Sequence, residues 1–163
     1  LVVRVPPGME TDGPAYRDHL AEIMASAQPE PRELIARVNL ERRWSIADRN
    51  PIRRWADGRV TLLGDAAHAT LQSVAQGAGM AIEDAATLAH ILEQEGNDYA
   101  GAFQRLQRER FLRTARVQLE SRALWEVYHC DGLDAELRAC QWGERGPEDF
   151  YRCLDWLWTP QAL

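Results

Sequence analysis

Gly58-Arg59-Val60-Thr61-Leu62-Leu63-Gly64-Asp65-Ala66-Ala67-His68 leads, a short way on, into Gln76-Gly77-Ala78-Gly79-Met80-Ala81-Ile82-Glu83-Asp84-Ala85. An apolar run ends in Gly-Asp, small residues follow, and a glycine-rich turn opens an alanine-rich helix. The pattern predicts a short strand over Val60–Leu63, buried on both faces, then a ligand loop, then a helix N-terminus. Free N–H groups and the helix dipole at such a start favour an anionic or electron-rich ligand. Gly64 lets a ligand approach the backbone closely, and the Asp65 carboxylate can accept hydrogen bonds from sugar-like hydroxyls.

Outward from this stretch, the helix is expected from about Gly79 to Gln94. Ile82, Ala85, Ala86, Ala89 and Leu92 make its apolar stripe, and Glu83, Thr87, His90 and Gln94 the opposite one. Gly96-Asn97-Asp98 reads as a helix stop followed by a new N-cap. From Tyr99 to about Cys130 there is no proline, and no glycine after Gly101, so one long helix or two in tandem follow. Shorter helices are expected at about Asp134–Trp142 and Pro147–Trp158. Upstream, Leu1–Val5 reads as a strand and Asp12–Ala27 as a helix with Tyr16, Leu20, Ile23 and Met24 on one face. A short helix is expected from Pro31 through Arg37. Val38–Ala47 alternates Val38, Leu40, Arg42, Trp44 and Ile46 on one side, the pattern of an antiparallel strand.

Composition sets bounds. A chain of 163 residues with 45% apolar content is ordinary for one globular domain, or for parts of two. The net charge of −6 argues against a nucleic-acid or anionic-membrane partner. No apolar run nears the roughly 20 residues that span a bilayer. Cys130, Cys140 and Cys153 follow no metal spacing and read as reduced thiols of a cytoplasmic protein. No metal ligand set is expected. His68 reads as a structural hydrogen-bonding residue beside the loop. His19, His90 and His129 read as surface or structural. Arg105, Arg108, Arg110, Arg113, Arg116 and Arg122 read as a solvated or interdomain face of the long helix. Trp125, Trp142, Trp156 and Trp158 read as packing or subunit-contact residues.

The opening stretch resembles the second flavin fingerprint of the single-component FAD-dependent aromatic hydroxylases, the group of the salicylate and hydroxybenzoate hydroxylases. The lead-in Asp48-Arg49-Asn50-Pro51, then Trp55 and Gly58-Arg59-Val60, is similar to that family's approach to the fingerprint. Tyr128-His129-Cys130-Asp131-Gly132 and Phe150–Leu157 resemble members of the 3-hydroxybenzoate 6-hydroxylase type. No G-x-G-x-x-G, the family's pyrophosphate turn, occurs in the chain: after Gly77-Ala78-Gly79 the third position is Ile82. The chain is therefore expected to be the C-terminal part of a longer hydroxylase whose upstream half, on the same polypeptide or a separate one, supplies that turn.

The resemblance implies an α/β fold. Residues 1–50 would close a substrate-binding sheet domain, 51–97 return to the FAD-binding domain, and 98–163 form a helical extension. It implies FAD as cofactor and NAD(P)H as co-substrate. Dioxygen would form a flavin C4a-hydroperoxide that hydroxylates a small phenolic acid. Gly64 and Asp65 would hold the ribityl chain, and Gln76, Gly77, Ala78, Gly79 and Met80 would form the helix start at the isoalloxazine pyrimidine edge. Thr70, Leu71 and Gln72 would line the substrate side, with Gln72 on the phenol hydroxyl. No catalytic side chain is assigned. Ala69 stands where the family usually has proline and gives up the fixed φ of that ring. Two other readings stay open: a non-catalytic helical interaction module, and another flavoprotein of the same superfamily such as a halogenase. A homodimer is compatible with the terminal tryptophans.

Overall fold

A computed structural model of the chain describes Val5, Gly8 and residues 14–40 and 44–159. It divides into two units, residues 1–45 and residues 46–163. In the first, α1 (Pro14–Ile23) buries Tyr16 and Leu20, while Ile23 of the expected face is exposed. Helix α2 (Pro29–Ala36) starts on a proline, whose missing N–H costs nothing in a first turn. The expected strand Leu1–Val5 lies outside the described residues except for Val5. The expected strand Val38–Ala47 does not form among its described residues, and Trp44 and Ile46 are exposed. Alternation marks a half-buried strand only where a neighbour pairs with it, and no partner strand is described for this segment.

In the second unit, Ala56–Asp57 (β1) and Val60–Thr61 (β2) make a two-residue antiparallel hairpin, with Ala56 opposite Thr61 and Asp57 opposite Val60. Gly58 opens its loop at φ 57°, where an L side chain would be strained. This corrects the reading of Val60–Leu63 as a strand buried on both faces: Val60 is exposed, and the chain leaves the ladder after Thr61. A short helix α3 (Asp65–His68) and a 3₁₀ turn (Gln72–Val74) then lead into α4 (Gly77–Glu95). Gly96 ends α4 at φ 59°, and Asp98 caps the next helix by accepting from the Gly101 N–H at 3.0 Å. That helix, α5, runs unbroken from Tyr99 to Tyr128. Helices α6 (Gly132–Gly143), α7 (Pro147–Arg152) and α8 (Asp155–Trp158) follow, so the expected Pro147–Trp158 helix is broken at Cys153-Leu154.

The core lies between α4 and α5. Ile91, Ala102 and Leu106 are buried with Leu63, Leu88 and Leu92 against them. Nearer the α4 start, Met80, Val117 and Leu157 form a second cluster flanked by Val74 and Trp156. Helix α4 buries Met80, Asp84, Thr87 and Ile91, whereas of the expected stripe Ile82, Ala85, Ala86 and Ala89 are exposed and Leu92 packs against the core. Ile82 is 71% exposed and Asp84 fully buried. The inversion has a physical cause on α5, where the facing residues include Arg110 and Arg113, both buried.

Candidate functional site

Gly64 caps α3 at φ 54° and ψ −136°, a combination that only glycine adopts without cost. A Cβ there would also stand 3.2 Å from the Ala81 Cβ on α4. The loop is thus pressed onto the helix backbone-first. Gly64→Ala is expected to lower stability by about 1–3 kcal/mol, read from denaturant unfolding. A loss within experimental error would contradict the close approach.

The Gly64 carbonyl accepts from the Ala67 and His68 N–H groups at 2.9 Å, and the Ala69 N–H closes onto the Asp65 carbonyl at 3.2 Å. Asp65, at the first position of α3, keeps its side chain exposed. Its Oδ1 lies 4.0 Å from where a Cβ of Gly77 would be, so the loop and the α4 start stand side by side. Gln76 precedes α4 without a side-chain cap, leaving the first N–H groups of the helix uncapped by any side chain. Its Oε1 would meet a Cβ on Gly79 at 2.9 Å. Ala78 is exposed and Met80 buried in the core below. Gln72 is exposed on the 3₁₀ turn, with Thr70 and Leu71 half-buried beside it. Asp65 and Thr70 thus stand beside Gly77, whereas Met80 is turned into the core and its N–H donates to the Gln76 carbonyl at 2.9 Å.

Beneath the loop lies a charged network that joins His68 to two of the arginines expected on a solvated or interdomain face of α5. Asp84 Oδ2 accepts from the Gly64 N–H at 3.1 Å and lies 2.6 Å from His68 Nε2. Its Oδ1 accepts from Arg110 Nε at 2.8 Å. Arg110 Nη1 and Arg113 Nε share Glu83 Oε2 at 2.7 and 2.6 Å, and Arg113 Nη2 takes Oε1 at 2.7 Å. Arg113 also donates to the carbonyls of Trp156 and Leu157 at 3.1 and 2.9 Å. The readings for His68 and the arginines thus part ways. His68 is buried as expected, its ring 5.4 Å from that of Trp55. Arg110 and Arg113, expected on a solvated or interdomain face, are instead buried clamps within this unit. Arg105 and Arg116 do lie on the surface, in pairs with Glu109 and Glu120.

Burial acts to raise the Asp84 carboxyl, but the hydrogen bonds from His68, Arg110 and the Gly64 N–H outweigh it and hold the group below the ordinary carboxylate value. Glu83 behaves alike: burial raises it, and the bonds from Arg113 and Arg110 bring it down. The Glu83 bond in turn raises Arg113. Asp84 is therefore ionised, so His68 Nε2 is the donor in their bond. Depressed folded-state values give stability that is complete above the unfolded carboxyl value, about pH 4, and lost as pH falls through the folded ones. The stability gap between the native chain and Asp84→Asn is expected to be constant from about pH 7 to pH 5 and to shrink below about pH 4. Urea unfolding across that range checks it, and a gap that persists into acid contradicts it.

The lead-in segment is fastened to the same body. Asp48 pairs with Arg122, which also donates to Asn50 Oδ1 at 2.8 Å, and the Arg49 guanidinium donates to the Ala66 carbonyl. Asp48 and Arg49 are thus cross-links to α5 and to the loop. Ala69 has φ −47° and ψ 131°, a proline-like conformation held without the ring. Among the described residues no group of His, Cys, Asp and Glu could hold a metal ion, and no helix is long and apolar enough to cross a membrane.

Residues 3–117 match the family model described as "FAD binding domain". The chain belongs to this FAD-binding family. It is 48% identical over 130 residues to a 3-hydroxybenzoate 6-hydroxylase of Polaromonas naphthalenivorans, covering 80% of this chain and 32% of that protein. A 3-hydroxybenzoate 6-hydroxylase of Aquipseudomonas alcaligenes is 46% identical over 130 residues, with 80% and 41% covered. The chain thus spans about a third to two-fifths of the length of these relatives. Among solved structures, a variant of Klebsiella pneumoniae HpxO complexed with FAD superposes with a TM-score of 0.77 at 30% identity, over 94% of this chain and 41% of that one. HpxO complexed with FAD and uric acid gives 0.74 at 32% identity, over 86% and 36%. The fold is accordingly that of part of an FAD-binding flavin monooxygenase, mostly helical with one small sheet among the described residues.

The residues present fit the family's ligand. Asp65 offers an exposed carboxylate to hydroxyls, the adjoining helix start is uncapped, and Gly77 leaves the space between them free of a Cβ.

Proposed function

We propose that the chain is part of an FAD-dependent monooxygenase that hydroxylates a small phenolic acid of the hydroxybenzoate type with NAD(P)H and dioxygen. The observation that carries this is the juxtaposition of the Asp65 carboxylate with the uncapped α4 start across Gly77, in a chain of the FAD-binding family. The names of the relatives support the substrate class. Electron transfer from NAD(P)H to dioxygen is chemistry that bound FAD supplies.

The residues of this chain bind and orient. Asp65 accepts hydrogen bonds from the ribityl hydroxyls, and Gly64 keeps that backbone close. The free N–H groups of Gly77, Ala78 and Gly79, at the positive end of α4, stabilise negative charge on the pyrimidine edge without having to reorganise, while the Met80 N–H is engaged by the Gln76 carbonyl at 2.9 Å. Gln72 meets the phenol hydroxyl of the substrate. In this reading residues 1–50 end the substrate-binding sheet domain, 51–97 belong to the FAD-binding domain and 98–163 form a helical extension. An upstream half completes pyrophosphate binding, and the protein works in the cytoplasm, with self-association through the terminal tryptophans a matter for direct measurement.

The test uses the whole polypeptide with FAD, NADH or NADPH and dioxygen, offered hydroxybenzoates, indoles and polyketide-like phenols. Hydroxylated hydroxybenzoate is expected, and turnover confined to the other classes would overturn the substrate assignment. Gln72→Ala is expected to raise KM for the phenolic acid about tenfold, the worth of one hydrogen bond, with FAD affinity unchanged. An unchanged KM removes Gln72 from the substrate side.

A further inference from the structure

We infer that Gln118 is a positioning residue for the Ala66–Gln72 turn, and through it for the aromatic substrate. The inference rests on the flavin-hydroxylase reading above. Gln118 lies on α5, far from the turn in sequence, and is 1% exposed. Its Nε2 donates to the Ala69 carbonyl at 3.1 Å and to the Arg49 carbonyl at 2.9 Å. The Arg49 N–H also donates to the Ala69 carbonyl at 3.3 Å, and its guanidinium to the Ala66 carbonyl. One buried amide therefore ties the lead-in segment and the loop to a single point on α5.

The position matters because of what lies on either side of it. Before Ala69 the chain is pinned by the Gly64–Asp84–His68 bonds. After it come Thr70, Leu71 and Gln72, and then the positive φ of 53° at Ala75, all before the α4 start. Ala69 has no ring to fix its backbone, so its φ of −47° is set by these bonds and by the Ala69 N–H on the Asp65 carbonyl. Arg49 is exposed and its segment carries no ladder of its own, so Gln118 is the buried anchor of the pair. Without it the pinned first half of the loop persists while the 69–72 segment gains freedom. Asp65 stays in place, and the group facing the phenol does not.

The test uses Gln118→Met in the whole polypeptide, with similar volume and no donor. Hydrogen exchange followed by mass spectrometry is expected to show about tenfold faster exchange in the peptide containing the Arg49 amide, which donates to the Ala69 carbonyl that Gln118 holds, with α4 and α5 peptides unchanged. Hydroxylated product per NAD(P)H consumed is expected to fall several-fold, with the remainder lost as hydrogen peroxide, while FAD affinity is retained. Exchange that rises across α4 and α5 together would show general loosening and overturn the positioning role. So would unchanged exchange and unchanged coupling. If Gln118→Met does not fold, Gln118→Glu carries the test. Its ionised form has no donor for either carbonyl and its protonated form has one, so coupling rises as pH falls where the native enzyme's does not. A pH profile parallel to the native one overturns the inference. A native enzyme that hydroxylates no phenolic acid at all would instead bring down the underlying reading, while the exchange experiment still reports on Gln118.

Discussion

Asp84→Ala is expected to lower the stability of the whole polypeptide by about 3–5 kcal/mol, the loss seen when one member of a buried charged network is removed. Asp84 is fully buried and serves three donors at once: the Gly64 N–H, His68 Nε2 and Arg110 Nε. Its removal leaves all three in the interior, with Arg110 retaining Glu83 and the Met80 carbonyl at 3.4 Å. Arg110→Met is expected to cost about as much, because it leaves the buried Asp84 carboxylate with only the Gly64 N–H and His68, although Arg113 still neutralises Glu83. The double variant is expected to fall short of the sum of the two, as for residues in one network. Equilibrium unfolding in urea measures all three. A loss below about 1 kcal/mol for Asp84→Ala would mean that the carboxylate does not hold the loop and the two helices together.

Asp65→Ala is expected to weaken FAD binding about 10- to 100-fold, the worth of one or two hydrogen bonds to a charged group. The stability of the FAD-free polypeptide is expected to move by less than about 0.5 kcal/mol, since an exposed side chain leaves no cavity or stranded charge behind. The split between binding and stability separates Asp65 from Asp84, which holds the same loop from beneath through Gly64 and His68. Asp57→Ala is the control: that carboxylate is also exposed and pairs with the exposed Arg54. Fluorescence titration of FAD into the native protein and the two variants, beside their unfolding curves, measures both quantities. An affinity in Asp65→Ala equal to that of the control would remove Asp65 from the flavin.

Part of the local backbone geometry could be read from the chain because its signals are local. Gly64 announces a backbone that other residues rarely adopt, Gly77 and Gly79 announce a helix opening, with Gln76 Oε1 2.9 Å from where a Cβ of Gly79 would be, and Asp98 with Gly96 announces where one helix stops and the next begins. The burial pattern was harder. Apolarity pointed to Ile82, Ala85, Ala86, Ala89 and Leu92, of which Leu92 alone packs against the core, whereas α4 buries Met80, Asp84, Thr87 and Ile91. A charged residue on a buried stripe is invisible to a search for apolar periodicity, because its counter-charges sit on another helix. The signal was there in paired form. Glu83-Asp84 sits near the start of one helix, and Arg110 and Arg113 fall on the Ala102–Leu106–Val117–Ser121 stripe of the next. Only the hairpin-like docking of α4 on α5 makes them meet. Alternation at Val38–Ala47 gives no strand among the described residues for a related reason, since a strand is defined by its neighbour. Gln118 gave no sign at all: its partners are backbone carbonyls, which every residue possesses.

The most direct test of the central claim is a crystal structure of the whole polypeptide with FAD bound. The account predicts the Asp65 carboxylate within about 3.2 Å of a ribityl hydroxyl, as a hydrogen bond requires. It also predicts the N–H groups at the α4 start turned toward the pyrimidine edge of the flavin. A flavin seated elsewhere, with Asp65 beyond hydrogen-bond reach and the α4 start facing solvent, would contradict it.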